Sequence, residues 1–235
     1  MLYEVTHFIQ AKMPWMWNMV EWGNSEAFAI QHCKGLNEIP ALLEKYKDRF
    51  AVTVATDADA AALAKFFTEQ PEEAFKFFHP HEFDEKSLLK LIRRKSFLMF
   101  LVKDEDEIVG YFFLRCFANG NAFKGRIVDA RRRNQGIAKL MGNVINEVVL
   151  HLGLRLFTTI SPENYASLAS TKAVNDIKIV RTLENGYYYI ECTPKKAAGG
   201  GYFLSLEFRV LAEASEQVRS ESLELRRRRG YSYAA

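Results

Sequence analysis

A predicted helix between two strands, within residues 126–160, constrains the fold most. Apolar side chains recur at three- and four-residue steps through this segment, which predicts a helix from Gly136 to Leu152. The short apolar runs RIVDA and LRLFTTI, on either side of it, predict strands. Because a strand, helix and strand in succession favour parallel neighbours and the other strands read as hairpins, the sequence predicts an α/β (α+β) fold. We expect a mixed, mostly antiparallel central sheet flanked by helices.

Local signals predict the other elements. FAVTVAT alternates as a strand does, and Thr56 or Asp57 can cap a helix in DADAAALAKFF. Asp84 is predicted to cap a second helix. FLMFLV and EIVGYFFLRCF predict a hairpin, ANGNAFKG predicts a turn, and IKIVRTLENGYYYIEC predicts another hairpin. In that last hairpin the pair Asn185-Gly186 suits a type I′ turn.

Composition limits the class of protein. The 235 residues include 32 basic and 29 acidic side chains, a net charge of +3, which lacks the basic excess of a typical nucleic-acid binder. Three cysteines without a C-x-x-C pair suit a reducing compartment, and we expect a cytoplasmic protein. No uncharged stretch approaches the roughly 18 residues that a membrane-spanning helix needs.

Shifts in composition suggest three parts. Residues 1–48, with Trp15, Trp17 and Trp22, are interpreted as an N-terminal appendage whose aromatic rings pack against the rest, with an acceptor pocket as the alternative. Residues 49–194 form the predicted main domain. Residues 195–235 form a C-terminal extension with a flexible joint at residues 199–201, one strand and one helix.

The stretch RRRNQGIA, residues 131–138, allows two interpretations. Three arginines suit phosphate contacts with nucleic acid, but the helix that follows offers only Lys139 and no interleaved aromatic residues. In the second interpretation Gly136 opens a helix whose first amides lack internal partners, and these amides bind an anion. Glycine lets a phosphate approach the main chain closely. We favour a diphosphate site.

This stretch also resembles a known motif. Residues 133–138, RNQGIA, match the signature R/Q-x-x-G-x-G/A of the Gcn5-related N-acetyltransferases (GNAT), and the order of elements from Phe50 to Cys192 is similar to theirs. The resemblance implies that acetyl-CoA binds as cosubstrate. It also implies pyrophosphate contacts from the bend, pairing of one strand with the pantetheine arm, and a nearby asparagine. The residues so implied are Ile127, Val128, Arg133, Asn134, Gln135, Gly136, Ile137, Ala138 and Asn164.

The catalytic groups are less well marked. The resemblance places the usual acid, a tyrosine, at the position of Thr171, so Tyr165 is proposed as a substitute. His81, in the segment FFHPHEF, is proposed to relay the amine proton because histidine titrates near neutral pH. The alternative is a surface loop whose histidines only pack. Two histidines without further ligands fall short of a metal site, and none is expected.

Two functions follow as hypotheses. The first is transfer of acetyl to a primary amine of a small molecule, such as an amino sugar used in cell-envelope polysaccharide. The second is an acyl-CoA-binding regulatory module without turnover, which the missing tyrosine favours. The expected partner is the small amine, with no nucleic acid and no membrane span; a homodimer is kept open.

Overall fold

The computed structural model describes residues 14–47 and 49–195, and the predicted C-terminal strand, helix and glycine joint lie outside them. The helices are α1 (Pro14–Leu43), α2 (Ala60–Thr68), α3 (Glu85–Ile92), α4 (Ile137–His151) and α5 (Tyr165–Val174). The strands are β1 (Ala51–Val54), β2 (Phe97–Asp104), β3 (Glu107–Cys116), β4 (Asn121–Val128), β5 (Arg155–Ile160), β6 (Asn175–Thr182) and β7 (Tyr188–Pro194). Short 3-10 turns occur at Asp57–Asp59, Glu72–Phe75 and Ala130–Arg132.

The seven strands form one mixed sheet in the order β1-β2-β3-β4-β5-β7-β6. Every neighbouring pair is antiparallel except β4 and β5, which are parallel and joined by α4. The predicted crossover and hairpins are therefore confirmed. The predicted fold class, a mostly antiparallel sheet flanked by helices, is confirmed as well.

Each face of the sheet carries its own apolar cluster. On one face α4 buries Ile137, Met141, Val144 and further residues of its apolar stripe against the strands, together with Phe28 of α1. On the other face Leu63 of α2 and Leu88 of α3 pack on residues of the central strands. The apolar periodicity seen in the sequence accounts for both clusters, because it places one side of each helix on the sheet.

Helix α1 is longer than the short pattern in the sequence predicts. It is kinked at His32 (φ −117°, ψ 17°), and its buried residues Phe28, Ile39 and Leu43 belong to the first cluster. In the first half of the helix, Asn24 Nδ2 donates to the Cys116 carbonyl at 3.1 Å. Thus the segment predicted as an appendage contributes to the main core.

Trp22 of that segment is 68% exposed, which contradicts the packing predicted for this ring. The side chains of the other two predicted packing tryptophans, Trp15 and Trp17, lie outside the described residues. Domain boundaries at residues 48 and 194 stay expectations.

Two further predictions need correction. ANGNAFKG is mostly strand, because β4 begins at Asn121 and pairs with β3 along its whole length. The hairpin between β6 and β7 does not close with a type I′ turn, which needs positive φ at both central residues. Of the pair, only Gly186 has positive φ, at 80°. Its amide donates to the Leu183 carbonyl at 2.9 Å, so a wider turn ends in the glycine.

Candidate functional site

A tight bend joins β4 to α4. The carboxylate of Asp129 accepts a hydrogen bond from the Arg131 amide at 2.8 Å, which starts the short turn Ala130–Arg132. Two later residues have left-handed backbone, Asn134 with φ 62° and Gly136 with φ 82°. Gly136 is the N-cap of α4, and a Cβ built on it would meet no atom within 4 Å. The bend is therefore open in front of the helix.

The amides of this bend are free to bind a ligand. From Arg133 to Ala138, none donates a hydrogen bond to a residue that the structure describes, whereas Lys139 and Leu140 both donate to the Gly136 carbonyl at 3.0 Å. The first amides of a helix lack intrahelical acceptors, and the helix dipole adds positive charge there. Such an arrangement binds phosphate groups. The bend, with the space that a side chain at Gly136 would fill, fits a diphosphate.

Two of the three arginines before the bend are already bound by carboxylates. Arg131 Nη2 lies 2.6 Å from Asp129 and 3.2 Å from Glu107, and Arg132 Nη2 lies 2.8 Å from Glu107. Arg133 is exposed and has no ion pair within residues 14–47 and 49–195. The triplet thus offers one free guanidinium beside the open amides.

β4 and β5 separate after a short parallel ladder. They pair over three residues each, ending at Phe123 and Phe157, although β4 continues to Val128. On its other side β4 stays paired with β3 through Ile127 and Val128. Beyond Phe123, the edge of β4 that faces β5 therefore has no strand partner. An extended chain can pair with such an edge as an added strand.

Helix α5 begins with an asparagine cap. Asn164 Oδ1 accepts a hydrogen bond from the Ser167 amide at 3.1 Å, which leaves the Asn164 side-chain NH2 as a donor. Later in the helix Thr171 is 1% exposed, and its hydroxyl accepts from Arg126 Nη2 at 3.1 Å. Thr171 therefore holds a guanidinium in place and is not an acid for a ligand.

Arg126 connects three elements through its own hydrogen bonds. From β4, its Nη1 donates to the Ala138 carbonyl in the first turn of α4 at 2.8 Å, and its Nη2 donates to the Ser170 hydroxyl of α5 at 2.7 Å. Burial lowers the pKa of Arg126 to about 10, so the guanidinium stays charged at neutral pH. The position of the bend relative to α5 is thereby fixed.

A cavity of about 440 Å³ lies on the face of the sheet covered by α2 and α3. Part of its wall is aromatic, from Phe97, Phe113 and Phe123. The segment FFHPHEF contributes Pro80 and His81. The charged side chains of the cavity are Glu21 of α1, Arg115 of β3 and Arg94. Lys124 of β4 lines it through its main chain.

His81 has both ring nitrogens in hydrogen bonds. Nδ1 lies 2.8 Å from the Glu82 carbonyl, which only accepts, so Nδ1 carries the proton and Nε2 accepts from the Tyr111 hydroxyl at 2.8 Å. The ring also packs edge-on against Phe83 and Phe97. Burial lowers the pKa of His81 and raises that of Tyr111, so both are neutral at pH 7. The surroundings of His81 fit both interpretations of this residue, a side chain that only packs and a base.

Tyr165, the other proposed catalytic residue, is 77% exposed at the start of α5 and does not line the cavity. Within the described part of the chain, no cluster of three or more metal-ligating side chains occurs. Nor is any helix among those residues long and apolar enough to cross a bilayer.

Sequence reasoning missed the charged side chains of the cavity. Glu21 and Arg115 are 94 positions apart in the sequence and meet in an ion pair. Lys124, behind the cavity wall, lay in a segment predicted as a turn. The segment FKGR does contain an unusual feature, two cations at alternate positions of one strand. Nothing in the sequence alone indicates that this strand is buried.

No family model and no curated protein matches the chain by sequence. Solved structures do match. The GNAT domain of S. lividans PAT is similar at 18% identity and TM-score 0.53, over 60% of this chain and 89% of that one. Mycobacterium smegmatis RimJ, in complex with CoA-disulfide, is similar at 18% identity and TM-score 0.52, over 62% and 81%.

A third similar structure is AAC(6')-Ib with acetyl-CoA bound, an aminoglycoside acetyltransferase, at 12% identity and TM-score 0.51, over 63% of this chain and 94% of that one. At these identities the likeness establishes the fold. Strand order, the parallel pair and the open bend are consistent with it. The chain has the fold of the GNAT acetyltransferases.

Proposed function

We propose that the chain is an acetyl-CoA-dependent N-acetyltransferase that acts on the primary amine of a small molecule, with an amino sugar as the candidate acceptor. The observation that carries this proposal is the run of free amides from Arg133 to Ala138 ahead of α4. Structural neighbours crystallised with acetyl-CoA or coenzyme A lend support to the choice of cosubstrate.

In this proposal the binding residues act mainly through the main chain. The amides of Arg133, Asn134, Gln135, Gly136, Ile137 and Ala138 hold the pyrophosphate. Ile127 and Val128 pair with the pantetheine arm along the open edge of β4, and the Asn164 side-chain NH2 donates to the same arm. Acetyl-CoA supplies an activated thioester. The acetyl carbon forms a bond to the amine nitrogen as its bond to sulfur breaks, and one amine proton must leave.

Two side chains are proposed for proton transfer. His81 is the base: its neutral Nε2 has a lone pair at the cavity wall, which becomes available when the Tyr111 hydroxyl turns away. Tyr165 is the acid for the departing sulfur, because the position where the related enzymes carry a tyrosine holds the buried Thr171 here.

A second function, an acyl-CoA-binding module without turnover, is favoured by one observation. Thr171 and His81 are both engaged in hydrogen bonds inside the protein, so neither of these two side chains is already aimed at a substrate. The cytoplasmic location and a homodimer also stay proposals, the first resting on three unpaired cysteines.

Calorimetry with acetyl-CoA tests the binding site. Gly136→Val should weaken binding by about tenfold or more, equivalent to about 1.4 kcal/mol, because the new side chain fills the space in front of the amides. Gly186→Val is the matched control: this glycine also has positive φ and open surroundings but lies in the β6–β7 turn. Unchanged affinity in Gly136→Val would contradict the site.

A thiol-release assay then separates the two functions. The wild-type protein is given acetyl-CoA and a panel of amino sugars, amino acids and polyamines. Release of coenzyme A with at least one amine supports the enzyme. Tight acetyl-CoA binding without release from any amine supports the binding module instead.

A further inference from the structure

Two arginines and a glutamate form a cluster at the wall of the cavity. Glu21 of α1, whose side chain is 9% exposed, forms ion pairs with Arg115 of β3 and with Arg94, the latter at 3.0 Å. The two guanidiniums bind different oxygens of the carboxylate, Arg115 at Oε1 and Arg94 at Oε2. All three residues line the cavity. A buried carboxylate therefore holds two cationic side chains in place there.

The strand register places Arg115 on the cavity face of the sheet. Its partners are Phe97 of β2 and Phe123 of β4, which both line the cavity, and side chains directly opposite each other share a face. Its Cζ lies over the Phe117 ring, 5.3 Å from the centroid. A guanidinium has five N–H donors, and among the described residues only Glu21 accepts from Arg115 or Arg94. Each arginine thus keeps donors for a ligand.

The cluster carries a net positive charge. Glu21 is the one carboxylate among the described residues that line the cavity, against two guanidiniums, and His81 of the same wall is neutral. The side chains of Arg94 and Arg115 are 38% and 39% exposed, so a ligand in the cavity can reach them. A concave site with an excess of one charge attracts ligands of the opposite charge.

Lys124 does not add to the charge that a ligand meets. Its partner in β3 is Leu114, which belongs to the apolar cluster under α4, so the lysine side chain points to the opposite face of the sheet. The residue is 6% exposed, and its buried Nζ has no hydrogen-bond partner among the residues that the structure describes. The cations facing the cavity are therefore Arg94 and Arg115.

The cavity adjoins the point where β4 and β5 separate. Phe123 is the last residue of β4 that pairs with β5, and Thr159 lies two residues beyond the end of that ladder in β5. Both residues line the cavity. A pantetheine arm along the open edge of β4, as proposed above, would bring its thioester to this wall.

We propose that the acceptor is an anionic primary amine, whose carboxylate or phosphate is bound by Arg94 and Arg115 in the cavity. The inference rests on the proposed function and narrows its substrate class. The planar guanidinium matches the oxygens of a carboxylate or phosphate, and hydrogen bonds between opposite charges are stronger than those between neutral groups. Because Glu21 already fixes both side chains, less conformational entropy is lost on binding.

Matched amines test the proposal. Glucosamine is compared with glucosamine 6-phosphate and with muramic acid, which carry a phosphate and a carboxylate on a sugar with the same amine, and alaninamide is compared with alanine. Thiol release with acetyl-CoA should give a kcat/KM at least about tenfold higher for one or more anionic members than for the neutral partner. Kanamycin, a polycation, should be a poor acceptor. A smaller advantage in every pair would overturn the proposal.

Arg115→Met provides the second arm. It should raise KM for the preferred anionic amine by about tenfold or more, with a much smaller effect on the neutral partner. Arg94→Met, on a different element, should do the same. Arg155→Met is the matched control and should change neither: Arg155 of β5 also pairs with a carboxylate, Glu191 at 2.7 Å, and lies 5.2 Å from the ring of Phe157, but it does not line the cavity. A similar effect of both cavity variants on the two members of a pair, or none on either, would refute the site.

Direct binding keeps this inference distinct from the proposed function. Calorimetry of the same amines is carried out with protein loaded with coenzyme A. If no amine releases thiol but the anionic members bind more tightly and lose that advantage in Arg115→Met, acetyl transfer fails and the anion site stands. If thiol is released but charge has no effect on binding or rate, acetyl transfer stands and the anion site fails. Neither thiol release nor a preference for the anionic members would contradict both.

Discussion

Replacing Lys124 by methionine should stabilise the protein. Burial lowers the pKa of Lys124 from its usual 10.5 to about 8. Each pH unit of such a change is worth about 1.4 kcal/mol, so the charged lysine destabilises the folded state by about 3 kcal/mol at pH 7. Methionine has a similar length and no charge, and it should recover most of this free energy.

The dependence on pH identifies the cause. Below pH 8 the amine is charged in both the folded and unfolded states, and the folded state carries the full penalty. Between pH 8 and 10.5 the folded protein releases its proton first, so wild-type stability rises toward that of the variant. Above 10.5 both states hold a neutral amine and the penalty is gone. The advantage of Lys124→Met should therefore shrink across this window.

Urea unfolding of both proteins at pH 7, 8, 9 and 10 measures this difference in unfolding free energy. Lys90→Met, with an exposed side chain, should match wild type at every pH. A Lys124→Met variant that is no more stable than wild type at pH 7, or an advantage that stays constant up to pH 10, would show that the ammonium is not buried without a partner.

Three further predictions follow from the described contacts. Burial lowers the pKa of His81, so below about pH 6.5 the unfolded state binds more protons than the folded state. The free energy of unfolding of the wild type should therefore fall as the pH is lowered through this range. Urea unfolding of His81→Gln should show a weaker dependence on pH. Gly142→Ala should lose about 1–3 kcal/mol in thermal unfolding, since its Cβ would lie 2.7 Å from Val174 Cγ2, whereas Gly23→Ala meets nothing and should not destabilise. Asn164→Ala should lower the free energy of unfolding by about 1 kcal/mol because the helix cap is lost, whereas Asn164→Asp keeps the cap. If the side-chain NH2 of Asn164 is a ligand, calorimetry should find weaker acetyl-CoA binding in both variants.

What the sequence predicted well was local. Asp84 caps its helix as expected, because a cap joins residues three apart and depends on little else. The free amides behind the glycine of RNQGIA follow from the start of a helix in the same way. Apolar periodicity likewise predicted the sheet and the helix that crosses it.

What escaped prediction depends on contacts between distant segments. Glu21 meets Arg94 and Arg115 only after α1 has packed on the sheet, and the Trp and Pro residues around its start gave no helical signal strong enough to predict that. The segment ANGNAFKG, which contains Lys124, predicts a turn because its glycines and asparagines are typical of one. Its burial follows from the pairing of β4 with β3, which the composition of the segment does not reveal.

The hydrogen bonds of Arg126 have a consequence for communication within the domain. Its guanidinium donates to the Ala138 carbonyl, next to the bend, and to two hydroxyls of the helix that starts at Tyr165. If a nucleotide binds at the bend, as proposed, a displacement of the bend is passed to the neighbouring helix through this one guanidinium. In the proposed complex, ligand binding at the bend and the position of that helix would therefore be coupled.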